Sequence, residues 1–232
     1  MLELIQFPRA LGLMNASPFC MKVEVFLKLA ALPYQVNGRV LPMRMPKGKL
    51  PALRDGETLV CDSQAIIAHL QRQHAGALTP ALQRPESGAE HALRRMVEEH
   101  LYFAMLWQRW IDAAGWAVAA PALFGHLPLP LKAVVPALVR RKVRRDLVGQ
   151  GVGRHSAAEI AERACADLDA VRQVLGEQRF FAGAEPGAID AALYAFLAIL
   201  LFDTVDSPVR HHLQTTPTLV AYCTRMQALV GR

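Results

Sequence analysis

The chain has 232 residues, 53% of them apolar, with 26 Lys and Arg against 20 Asp and Glu for a formal net charge of +6. That length and apolar content suffice for a real core in one large domain or two small ones. The longest near-continuous apolar run, Ala191 to Phe202, is too short to span a bilayer. Four scattered cysteines (Cys20, Cys61, Cys165 and Cys223) lack metal-ligand spacing, so no metal site is expected. Met1-Leu2-Glu3-Leu4 has no basic segment ahead of an apolar one, which predicts no signal peptide and a cytoplasmic location where thiols stay reduced.

Leu2 to Phe7 reads as a short strand ended by Pro8. From Phe19, apolar residues at Val23, Phe26, Leu27 and Ala30 fall on one helical face, and Pro33 ends that helix. Tyr34 to Leu41 reads as a second strand, after which Pro42, Pro46 and Gly48 mark an irregular connection. Ala52-Leu53-Arg54 and Thr58-Leu59-Val60-Cys61 flank Asp55-Gly56, a hairpin signal. Ser63 opens another helix, with Ile66, Ile67 and Leu70 on one side. The resulting β-α-β-loop-β-β-α order over residues 1–75 is that of a thioredoxin fold. Residues 76–88 are polar, hold two prolines and read as a linker. Residues 89–232 read as all helical. They comprise a long pattern from Glu90 to Ala120 with all three tryptophans, then a Ser156-Ala157-Ala158-Glu159 capping box starting a helix that ends near Gly176. A third helix carries Ile189, Leu193, Phe196, Leu197 and Leu200 and looks the most buried.

Ser17-Pro18-Phe19-Cys20 lies between the first strand and the first helix, where thioredoxin-fold proteins keep a Cys-x-x-Cys pair. With serine in the first position no dithiol forms, so two-electron disulfide exchange is lost. A Ser17 hydroxyl at a helix start can instead donate to a thiolate brought by another molecule, beside the positive end of the helix dipole; both lower a thiol pKa from its usual ~8.5. The same serine also serves as a plain N-cap. Cys20, one turn in, reads as a small buried apolar residue, with an acidified thiol as the alternative. Leu50-Pro51, after an irregular loop and before a strand, occupies the place of the thioredoxin-fold cis-proline. In that geometry the Leu50 N–H and C=O face a ligand like a strand edge and pair with the cysteinyl part of a peptide such as glutathione. Lys47 and Lys49 either meet its glycyl carboxylate or face solvent. Asp62-Ser63, at a helix start, offers the Ser63 hydroxyl and N–H to the γ-glutamyl carboxylate and the Asp62 carboxylate to the α-amino group, or else caps the helix only. The three elements together, in this order, are far more specific than any one of them.

These residues resemble a glutathione S-transferase over nearly the whole chain, and more narrowly the failed-axon-connections/metaxin-like branch. The resemblance rests on Gln6-Phe7 followed by Ser17-Pro18-Phe19-Cys20-Met21-Lys22-Val23-Glu24, on Pro46-Lys47-Gly48-Lys49-Leu50-Pro51, and on Asp62-Ser63. In the helical half it rests on Glu98-Glu99-His100-Leu101-Tyr102, Arg109-Trp110 and the string from Gly149 to Ser156. It implies an α/β thioredoxin-like domain that binds glutathione as co-substrate, followed by an all-α domain that supplies the pocket for a small electrophile in a detoxification reaction. It implies a homodimer, with Ser17 as the catalytic hydroxyl, Lys49, Leu50, Pro51, Asp62 and Ser63 at the glutathione site, and Asp190 as a helix-capping aspartate. The chain departs from the pattern at Gly187, three residues before Asp190, where Ser or Thr is usual, and in a longer loop between Phe7 and Ser17. Tyr102, Trp107, Arg109, Trp110 and Trp116 lie on the segment that faces the electrophile in this superfamily. Trp107 and Trp110, three apart, share a helix face there or pack the core. Arg109, among aromatics, requires an anion or a carboxylate. Arg154 and His155 read as loop anchors.

From Leu127 to His155 seven Lys and Arg face a single acid, Asp146, an excess equal to that of the whole chain. A patch of this kind can bind nucleic acid or an anionic membrane, but it lacks the interleaved aromatics of a single-strand binder, and a solvated helix face beside an anionic-ligand site is expected. Three functions stay in competition: transfer of a glutathione thiolate, aided by Ser17; a glutathione-dependent reductase or lyase using Cys20; and a non-catalytic, metaxin-like binding protein whose partner surface is the Arg140–Arg145 run.

Overall fold

The structure, a computed structural model, describes residues 1–231. Strands β1 (Leu2–Ile5), β2 (Tyr34–Asn37), β3 (Ala52–Asp55) and β4 (Thr58–Cys61) form one sheet in the order β2-β1-β3-β4. β1 is parallel to β2, so helix α1 (Pro18–Leu29) crosses between them, and it is antiparallel to β3. β3 and β4 make a hairpin over Gly56-Glu57, with Gly56 at a φ of +59° where a Cβ is disfavoured. Helix α2 (Ser63–Gln73) completes the thioredoxin-like order. The first two strands are shorter than the pattern suggests. Gln6 turns its buried amide to Glu24 at 2.6 Å, and Pro42 opens a 3-10 turn, Pro42–Arg44, in place of more strand.

The segment 76–88 is less bare than its composition suggests, since it holds the short helix α3 (Pro80–Gln83) and buries Leu78 and Leu82. The helical half then runs through α4 (Gly88–Met96), α5 (Tyr102–Trp110), α6 (Ala113–Phe124), α7 (Leu131–Gln150), α8 (Ala157–Leu175), α9 (Ala188–Phe202), α10 (Pro208–Gln214) and α11 (Pro217–Val230). The single helix expected from Glu90 to Ala120 is interrupted twice. A π-helical turn at Val97–Leu101 places Glu98 against buried cations of α1 and α4. A corner then forms at Asp112, whose side chain caps Gly115 N–H at 3.0 Å. Gly115 lies so close to the preceding turn that a Cβ would sit 1.9 Å from the Gln108 carbonyl oxygen, so the corner requires glycine.

Helix α9 is buried from Ile189 to Leu201 and packs against α1, so sheet, α1 and the helical half share one hydrophobic core. Its first turn hangs on Asp190, which is fully buried. The carboxylate accepts from the N–H groups of Phe181, Ala182 and Gly187 and from the Tyr222 hydroxyl, at 2.8 to 3.1 Å. These donors offset the cost of burying the carboxyl, which still pushes its pKa up. A Cβ on Gly187 would come within 2.7 Å of Ala182 Cβ and 2.9 Å of Ala81 O, which explains glycine where the family pattern has Ser or Thr. Among the described residues no helix is long and apolar enough to cross a membrane.

Candidate functional site

The sheet register brings the three sequence-predicted segments to one place. Ile5, the last residue of β1, pairs with Ala52, the first of β3, and Ala52 pairs with Cys61, the last of β4. The chain leaving β1 toward Ser17, the Leu50-Pro51 bond before β3 and Asp62-Ser63 after β4 therefore all lie at the same end of the sheet. Beneath them Ile5, Cys20, Leu50 and Ala52 form a small buried cluster of their own, with Cys61 packed against it. Cys20 is one helical turn from Ser17, so this cluster ties the start of α1 to the Leu50 segment. The Leu50-Pro51 bond is cis, as the fold pattern predicts. Among the described residues the Leu50 N–H and C=O make no hydrogen bond. Lys47 and Lys49 are exposed nearby.

Ser17 is the N-cap of α1, half-buried, its Oγ accepting from Cys20 N–H at 3.5 Å. The long loop that precedes it is closed by Asn15, which is completely buried. Asn15 Nδ2 donates to the Phe7 carbonyl at 2.7 Å and its Oδ1 accepts from Ser17 N–H at 2.9 Å, so the extra residues bulge out without moving Ser17 away from β1. Leu11 and Gly12 turn that bulge with φ of +60° and +69°. From the other side Arg109 on α5 donates to the Ala16 carbonyl at 2.6 Å and pairs with Asp203 at the end of α9. The carboxylate that Arg109 requires is thus an internal one, and the guanidinium fixes the residue next to Ser17. Phe19 stands edge-on to Tyr102 and Phe196, at 5.0 and 5.5 Å between ring centroids, giving this end of α1 an aromatic flank from the helical half.

Asp62 caps α2, its Oδ1 accepting from Gln64 N–H at 3.0 Å and Ala65 N–H at 3.2 Å. Its φ of +93° is unusual for a residue with a Cβ, the kind of backbone strain that collects at binding sites. Ser63 is 6% exposed. One residue on, Gln64 Oε1 accepts from Lys22 Nζ at 2.7 Å, and the same ammonium meets Glu98 at 2.6 Å. Glu98 also holds Arg94 at 2.8 Å, and Arg94 holds Glu86. This buried chain of alternating charges runs from α2 through α1 into the helical half. Burial lowers the Lys22 pKa, opposed by the attraction of Glu98. Sequence reasoning missed Asn15, Lys22 and Glu98; only Lys22 left a sign, a lysine beside an apolar helix stripe.

Cys20 is fully buried and burial pushes its thiol up to about 12, despite hydrogen bonding from the Phe7 backbone and the Ser17 hydroxyl. It belongs to the floor of the site as a small apolar residue. Trp107 and Trp110 divide: Trp107 packs against the main core, whereas Trp110 stacks with Trp116 and Phe124. Arg140 lies 4.9 Å over the Trp116 ring and donates to the carbonyls of Trp110 and Ile111, so one member of the basic run is structural. Arg154 donates to the Val148 carbonyl and anchors its loop.

Residues 18–115 match the glutathione S-transferase N-terminal domain and residues 164–226 the glutathione S-transferase C-terminal domain. The chain is 30% identical to the isoprene-epoxide–glutathione S-transferase of Rhodococcus sp. (strain AD45), over 98% of each chain. It is also 30% identical to failed axon connections of Drosophila melanogaster, over 97% of this chain and 56% of that protein. A glutathione S-transferase of Ceriporiopsis subvermispora, solved in complex with glutathione, shares the fold at a TM-score of 0.67 with 16% identity, covering 99% of this chain and 96% of that one. The chain belongs to the glutathione S-transferase superfamily, in the branch that includes failed axon connections and metaxin-1.

Proposed function

From that membership we propose that the protein binds glutathione at the shared end of the sheet and transfers its thiolate to a small, largely apolar electrophile. The observation that supports the reading is the register: with Ile5, Ala52 and Cys61 in one row, the exit from β1 toward Ser17, Leu50-Pro51 and Asp62-Ser63 lie at one end of the sheet, and Cys20, one turn after Ser17, packs with Leu50. In this reading the free Leu50 backbone pairs with the cysteinyl unit, Lys49 meets the glycyl carboxylate, and Ser63 with the second Asp62 oxygen receives the γ-glutamyl end. The Ser17 hydroxyl donates to the sulfur at the positive end of α1, favouring thiolate. The thiolate attacks an electrophilic carbon and forms the C–S bond. With an epoxide, the electrophile in the name of the Rhodococcus relative, the C–O bond of the ring breaks and the resulting alkoxide takes a proton from water. A reductase built on Cys20 finds no support in a thiol that is buried and pushed up to about 12.

The test is turnover of glutathione with small epoxides by wild type and Ser17→Ala. Loss of one preorganised donor lowers kcat by roughly 10²–10³-fold while glutathione affinity changes little. Equal turnover by Ser17→Ala would remove the serine from the chemistry. Absence of turnover with glutathione bound would shift the reading to a metaxin-like binding protein.

A further inference from the structure

The hairpin of α6 and α7 packs on α5 at its base and leaves its tip exposed. Of the twenty residues of α7 only Leu147 is buried, and of α6 only Gly115 and Ala119. Its tip is apolar: Leu129 is 80% exposed, Leu131 49%, Val134 51% and Leu138 60%. Leu131, Val134, Leu138, Arg141 and Arg145 follow one another at steps of three and four, so they share one face of α7, apolar toward the tip and basic toward the base. Arg140 is committed to Trp116 and the Trp110 and Ile111 carbonyls, and Lys142 pairs with Asp146 at 2.5 Å. Arg141 and Arg144 are exposed and have no ion pair among the described residues.

We propose that this hairpin is a docking surface for an anionic lipid bilayer, its leucine and valine tip entering the headgroup boundary while Arg141, Arg144 and Arg145 meet lipid phosphates and carboxylates. Charge complementarity selects this occupant. A second copy fits poorly: pairing the face with itself sets arginines against arginines in one direction and against leucines in the other. A nucleic acid would use the cations but leave four large apolar side chains in water, with no aromatic in the stripe to stack on a base. A negatively charged bilayer uses both halves, and an apolar insertion plus a polybasic patch is the two-part signal that surface attachment needs.

The experiment is co-sedimentation of the full chain with phosphatidylcholine vesicles and with vesicles containing phosphatidylserine, at low and high salt. Binding to the anionic vesicles, weakened by salt, is expected. Arg141→Gln/Arg144→Gln/Arg145→Gln should weaken it about 100-fold, from the usual contribution of each basic residue near such a surface. Leu131→Gln/Val134→Gln/Leu138→Gln should weaken it on both salt conditions, with both variants keeping the wild-type melting temperature. The proposal is overturned by no binding to anionic vesicles, by equal binding to neutral ones, or by a single-stranded oligonucleotide that binds tightly and equally to the apolar variant. It is also overturned by a solution dimer that the apolar variant dissociates.

Discussion

Replacing Glu98 with Gln probes the charged seam between the two halves. Glu98 is 6% exposed and Lys22 wholly buried, so the substitution removes the charge that compensates the ammonium and leaves one amide oxygen where two carboxylate oxygens served Lys22 and Arg94. Removing one partner of a buried pair costs about 3–5 kcal/mol. Deprotonating Lys22 limits that cost: keeping a lysine of free pKa ~10.4 neutral takes about 4.6 kcal/mol at pH 7 and about 1.9 kcal/mol at pH 9. The folded-state pKa of Lys22, already lowered by burial, falls further without Glu98. The unfolded chain then binds more protons than the native one, so stability of the variant rises with pH toward the free lysine value. Lys22→Met should cost less, about 1–3 kcal/mol, because Glu98 keeps its pairing with Arg94 even though Glu98 Oε1 and Gln64 Oε1 each lose a donor. Urea unfolding at pH 7 and pH 9 measures all of this. The reasoning fails if Glu98→Gln lies within about 1 kcal/mol of wild type at pH 7, if its deficit does not shrink at pH 9, or if Lys22→Met is the worse of the two.

Gly187→Ser, which would restore the usual family residue, should lower stability by about 1–3 kcal/mol because its Cβ meets Ala182 and Ala81; a neutral or stabilising effect in thermal melts would contradict the packing argument. Cys20 should resist thiol reagents at neutral pH far longer than the half-buried Cys61, and Cys20→Ala should leave glutathione transfer unchanged; rapid labelling of Cys20 in peptide mapping would count against its burial. His69 and His74 both hold Asp55 Oδ2 at 2.9 Å and keep its carboxyl below the ordinary carboxylate range. That stabilisation is present above the unfolded value of ~3.9 and is lost as pH falls through the lower folded value. Asp55→Asn should therefore melt earlier than wild type at pH 6, with the gap closing below pH ~3.9, and a constant gap would exclude the linkage.

The thioredoxin-like order and the helical half were legible because each element carries its own punctuation: Pro33, Asp55-Gly56, Ser63, and the Ser156 to Glu159 box that begins α8. Ser17, Leu50-Pro51 and Asp62-Ser63 were legible as segments, yet only strand register shows that they share one end of the sheet. The breaks in the Glu90–Ala120 pattern were hidden, since hydrophobic periodicity does not reveal a π turn or the backbone contact that makes Gly115 necessary. Arg109 could be seen to need a carboxylate, but Asp203 lies 94 residues away in sequence. Asn15, Lys22 and Glu98 act through tertiary partners; apart from the place of Lys22 beside an apolar helix stripe, nothing in the sequence marks where the fold buries them. Conversely, the basic run looked uniform in sequence, whereas Arg140 is structural and Arg141 and Arg144 are free of ion pairs among the described residues.

The most direct test of the glutathione site is calorimetric titration of reduced glutathione into wild type and Ser63→Ala. Ser63 is the better probe because Asp62 also caps α2, and changing it would disturb the helix start itself. Binding in the micromolar to low-millimolar range, weakened roughly 10- to 100-fold by loss of a hydrogen bond to the ligand carboxylate, is the result predicted. No heat of binding to wild type at millimolar glutathione, or identical affinity in Ser63→Ala, would contradict the site as assigned.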